Sequence, residues 1–148
     1  MLRAGGIGPY RVGMDIKQAT ALAGGKRLPP LVTCGDIQTD LYAEELLRAG
    51  VGFGFDAGDD TTVHMLNVRG DQTATDKGIK VGSSKAQLGQ AYPGLRPLTG
   101  TIEPSFVADD GEYLLVFRVN KESQTVNAMG TVAKGDTTRA GTMANELC

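Results

Sequence analysis

The chain has 148 residues and carries 15 basic against 17 acidic side chains, a formal net charge of -2. This is the length of one ordinary domain, able to bury about 68–70% of its unfolded surface, and it has no charge excess to draw in a phosphate backbone or an anionic membrane surface. Tryptophan is absent, the 21 glycines are about twice the ordinary share of ~7%, and no apolar run reaches the ~18 residues of a spanning helix.

The opening Met1-Leu2-Arg3-Ala4 is too short and polar for a signal peptide, so any export signal is expected to have been removed. Gly5-Gly6-Ile7-Gly8-Pro9 superficially resembles a phosphate loop. It lacks a preceding strand, and Pro9 stands where a helix would open, so a glycine-rich turn is the better reading. Asp15, with Gln18 three residues on, has capping-box spacing and predicts a helix over 15–23 that buries Ile16, Ala19, Leu22 and Ala23 and stops at Gly24-Gly25.

Thr39 to Gly50 reads locally as a second helical stretch. Val51 to Phe55 then alternates large apolar residues with glycine, turns at Gly58-Asp59-Asp60 and returns as Thr62 to Arg69. Asp71 to Lys77 is a polar linker. Ser84, with Gln87 three residues on, opens a helix over 84–92 that buries Leu88, Ala91 and Tyr92 and ends at Pro93-Gly94. Ser105 to Ala108, Tyr113 to Val119 and Thr125 to Ala133 read as strands, the last two joined by Asn120-Lys121-Glu122-Ser123.

The two helix entries match at a constant offset. Arg11-Val12-Gly13-Met14-Asp15-Ile16-Lys17-Gln18 aligns with Lys80-Val81-Gly82-Ser83-Ser84-Lys85-Ala86-Gln87. Gly13 and Gly82 are read as backbone positions at the helix entrances, with positive φ or in close contact with a sheet. The expected fold is α+β: a tandem repeat of two helix-plus-antiparallel-strand units, about 6–70 and 78–135. These form one continuous antiparallel sheet with the helices on one face, in a single domain 1–148.

The two Val-Gly-x-x-x-x-x-Gln helices, each followed by strands, resemble the β-lactamase-inhibitor-protein (BLIP)-like tandem-repeat fold and the SmpA/OmlA half-domain of small outer-membrane lipoproteins. Gly13-Met14-Asp15 is similar to the Gly-Met-Thr helix start of those repeats. Gly6 to Met14, Gly78 to Ser84, Ala91-Tyr92-Pro93-Gly94 and the terminal cysteine look like a group of exported bacterial envelope proteins of unassigned function. The resemblance implies an exported, envelope-associated, non-enzymatic protein-binding module with an unknown protein partner. Two alternatives stay open: a structural or assembly component of an envelope lipoprotein anchored upstream of residue 1, and a β-lactamase inhibitor. Inhibitors of that kind grip their enzyme with an aromatic-rich sheet, whereas this chain has four Phe and four Tyr.

Cys34 and Cys148 are the only cysteines. A cysteine as the last residue suits a disulfide that pins the tail 136–148; two unpaired thiols are the alternative. His64, the single histidine, has no nucleophile in a recognisable context and reads as a packing or edge residue rather than a general base. Asp56, Asp59 and Asp60, like Asp109-Asp110-Gly111, read as turn chemistry rather than cation sites. No metal or cofactor is expected.

The most suggestive feature is the sheet face opposite the helices. With Val51, Phe53, Phe55, Leu66, Val68, Leu115, Phe117, Val119, Val126 and Ala128 inward, alternation places Gly52, Gly54, Met65, Asn67, Val116, Arg118, Asn127 and Met129 outward. That face is expected to be either a solvated surface or a shallow protein-binding one.

Overall fold

The structure is a computed structural model and describes residues 1–26, 28, 46, 48–54 and 62–136. Cys34, Cys148, Phe55, Asp56, Asp59, Asp60 and most of the expected Thr39–Gly50 helix lie outside these residues, although Leu46 and Arg48 are helical. The described chain is mixed α and β, mostly strand, with two short helices and two sheets.

Three two-residue strands, β1 (Leu2–Arg3), β2 (Gly6–Ile7) and β3 (Tyr10–Arg11), form a small antiparallel meander. Helix α1 (Ile16–Leu22) follows, then β4 (Val51–Gly54), β5 (Met65–Val68), helix α2 (Lys85–Ala91), β6 (Arg96–Leu98), β7 (Ser105–Asp109), β8 (Tyr113–Val119) and β9 (Val126–Ala133). The six later strands make one antiparallel sheet in the order β4-β5-β9-β8-β7-β6. The expected single sheet is therefore corrected to two, because the glycine-rich start folds into its own meander. The edge strand β6, with Pro97 inside it, was not foreseen.

Both helices begin at an extended cap residue, but differently. Ser84 and Gln87 form the full reciprocal box, Ser84 N donating to Gln87 Oε1 at 2.8 Å and Gln87 N to Ser84 Oγ at 3.1 Å. Asp15 instead accepts from Lys17 N at 2.7 Å, and the expected box with Gln18 is not the cap of α1. A carboxylate at the cap reaches the second helical N–H unaided.

Each helix entry is stitched to the backbone at or just before the start of a strand. Gly13 N donates to Val63 O at 2.7 Å and Val63 N to Met14 O at 2.9 Å; Gly82 N donates to Val126 O and Val126 N to Ser83 O, both at 2.8 Å. Gly13 (φ +89°) and Gly82 (φ +98°) hold the left-handed backbone this turn requires.

The main core lies between the large sheet and the layer of helices and meander. It joins Leu2, Ile7, Tyr10, Ala19 and Leu88 to Phe53, Leu66, Val68, Leu115, Phe117, Val119, Val126 and Met129. Tyr10 meets Phe53 edge-on, ring centres 5.2 Å apart. Leu22, expected inside, is exposed, while Thr75 of the expected polar linker is buried and takes Ile79 N on its hydroxyl at 3.1 Å. The meander docks where Gly5 N donates to Thr131 Oγ1 at 2.8 Å, and a Cβ on Gly5 would stand 2.7 Å from the Tyr113 ring.

Candidate binding site

The second face of the large sheet is not the open surface expected. Met65, Val107, Leu114, Val116, Ala128 and Val132 form a second buried cluster there, and Asn67 and Arg118 are buried with them. Met129, expected on this face, is corrected: it is fully buried in the main core, and Ala128 takes the outward place. The cause is a β-bulge. Arg118 pairs with Ala128 and Val119 with Val126, so Asn127 has no partner on β8, and one extra residue reverses the alternation of everything after it.

The bulge builds a polar corner at one end of the sheet. Arg118 Nε donates to Asn127 Oδ1 at 2.8 Å, so two residues expected together are together. Burial, and next the positive charge of Arg69, push the Arg118 guanidinium below its ordinary value, while Glu103 opposes them. Glu103 lies on the β6–β7 loop, where its carbonyl accepts from Thr101 Oγ1 at 2.7 Å and Ser105 Oγ at 3.0 Å. Its carboxylate accepts from Lys121 N at 3.3 Å, tying this loop to the β8–β9 hairpin.

That hairpin is also braced by its own hydrogen bonds. Asn120 Oδ1 accepts from Glu122 N and Ser123 N, and Gln124 sits at φ 55° with its amide donating to Lys121 O at 2.8 Å. Between Gly100 and Pro104, Ile102 projects into solvent, 75% exposed. Sequence alternation passed over Ile102 because it lies in a loop; an isoleucine bracketed by Gly100 and Pro104 is the signal that was there to be read.

The remaining expected residues fall elsewhere. Gly52 and Gly54 are on the edge strand β4 and Met65 and Asn67 on its neighbour β5, Gly52 opposite Asn67. Among the described residues neither Asn67 Oδ1 nor Nδ2 finds a hydrogen-bond partner, although the residue is only 1% exposed. His64 is half-buried just before β5. Asp109 accepts from Gly111 N at 2.7 Å, which more than any other contact holds its carboxyl below the usual range, and it pairs with Arg96 at 3.3 Å and Lys134 at 3.2 Å. Asp110 accepts from Glu112 N and Tyr113 N, the hydrogen bonding of a turn. Among the described residues no group of three His, Cys, Asp or Glu is arranged to hold a metal ion, and no helix is long and apolar enough to cross a membrane.

No protein-family model matches the sequence, nor does any curated protein. Among solved structures, the chain is similar to a DUF4309 family protein, YjgB, from Bacillus subtilis. The match has a TM-score of 0.51 at 23% identity and covers 81% of this chain and 78% of that one. At that identity the likeness is one of fold.

Proposed function

We propose that this chain is a non-enzymatic protein-binding module, exported to the bacterial cell envelope, which grips its partner with the bulged end of the large sheet. The observation that carries the reading is Ile102. It is a large apolar side chain held in solvent on a loop that Glu103 fastens to the β8–β9 hairpin, and Glu103 also acts on the charge of Arg118. An exposed apolar residue on a braced loop with an arginine nearby is the composition of an interface anchor.

The test is capture from bacterial envelope extract on immobilised protein, followed by binding of the purified captured species. Ile102→Glu is expected to lose that species and Leu22→Glu, an exposed site on α1, to keep it. Equal retention by both variants overturns the assignment of this end.

We further infer that the chain is a tandem duplication of the BLIP-like and SmpA/OmlA-like kind. Supporting this, the Gly13/Met14 to Val63 stitch and the Gly82/Ser83 to Val126 stitch use the same atoms.

A further inference from the structure

We propose that the outer face of the β1–β3 meander binds a phosphate monoester between the guanidiniums of Arg3 and Arg11. The site is carried by the meander, not by the bulged end of the large sheet, and it stands independently of the protein-binding reading.

The register of the three short strands builds it. Leu2, Ile7 and Tyr10 pair across the meander and are buried in the main core, so alternation sends the adjoining row, Arg3, Gly6 and Arg11, to the opposite face. Both arginines are exposed there. Their backbones are two strands apart, about 9.5 Å, with Gly6 between them. A Cβ on Gly6 would collide with Arg11 Nη1, so the arginine lies across the glycine in space that a side chain would fill.

The Gly8–Pro9 turn then draws the two charges together. Arg11 Nη1 donates to Gly8 O at 2.8 Å and to Tyr10 O at 3.1 Å, and Arg3 Nη2 donates to the same Gly8 O at 3.3 Å. A carbonyl dipole orients two like charges but neutralises neither. Asp76, brought alongside Arg3 by the Leu2–Thr75 bridge, closes no ion pair with it, nor does any other carboxylate among the described residues with either arginine.

A guanidinium has five N–H donors, and the carbonyls take one nitrogen of each arginine, leaving Nε and the second Nη for a ligand. A carboxylate has two oxygens, which a single guanidinium fork fills. A phosphate monoester has three and carries about -1.5 to -2 charge at neutral pH, so it meets both forks and balances both charges. That chemistry belongs to a soluble phosphate ester and to a phosphorylated lipid headgroup.

The experiment records amide and arginine Nε–H NMR spectra of the intact protein titrated with phenyl phosphate, acetate or chloride at equal ionic strength. Phenyl phosphate is expected to shift the two arginine Nε–H signals and the Gly6 and Gly8 amides saturably, and acetate and chloride are expected not to. Arg3→Gln and Arg11→Gln are each expected to weaken binding about threefold to tenfold, and Lys17→Gln, an exposed site on α1, to leave it unchanged. Sedimentation with phosphatidic acid vesicles separates the sources. Co-sedimentation lost in the doubly substituted protein identifies a lipid headgroup; saturable phenyl phosphate binding without co-sedimentation identifies a soluble ester.

Shifts that do not saturate, acetate equal to phenyl phosphate, or affinity unchanged in both arginine variants overturns the site.

Discussion

Asn127 shows how much one residue can decide. From Val126 onward a strict two-residue alternation would send Asn127 and Met129 outward and Ala128 inward, and the chain does the reverse for the last two. A bulge has no composition of its own, since any polar residue reads as an ordinary outward strand position, which is why this part of the face was illegible in the sequence. The face itself was legible further back: Leu66 and Val68 on β5 and Leu115 and Phe117 on β8 point as alternation requires, because neither stretch is interrupted. Once the bulge is in place, Asn127 also takes the Arg118 Nε–H. Asn127→Ala removes a hydrogen bond to a buried charge and is expected to cost about 1.5–3 kcal/mol, read as a lower urea midpoint with unchanged slope. An unchanged midpoint would mean that Arg118 finds another acceptor at no cost.

At the scale of the element, the helices were read to within one residue at each end, since a cap residue and a terminating Gly or Pro state their bounds chemically. What the caps could not say is how each helix is held. The answer lies in two glycines whose added Cβ would touch nothing within 4 Å, so their requirement is one of backbone alone. Gly13→Ala and Gly82→Ala are each expected to lose about 1–2 kcal/mol, and by similar amounts, in equilibrium denaturation. A large loss at one and none at the other would separate the two helix entries and weaken the duplication reading. The meander β1–β3 was missed for the opposite reason. Two-residue strands carry no periodicity, and their order comes from distant partners, Ala74 O for Leu2 N at 2.8 Å and Thr131 for Gly5.

For the whole molecule, sequence reasoning reached the class of fold and the antiparallel hairpins, but not the strand order, which depends on pairing between segments far apart in the chain. The covalent frame is the corresponding prediction. If export governs its chemistry, the protein denatured without reductant is expected to show no free thiol, and reduction to lower stability by up to about 4–5 kcal/mol; two titratable thiols per chain would remove the Cys34–Cys148 bridge.

The β5–β9 seam has a further consequence, for the chain as it is made. Val68 emerges well before Met129, the residue it must pair with, and at about 5–20 residues per second that interval lasts seconds. Through those seconds a finished β4–β5 hairpin presents a bare apolar edge with no mate, the condition under which strands of neighbouring nascent chains pair with one another. The second half of the sequence is, for the first half, a late-arriving chaperone.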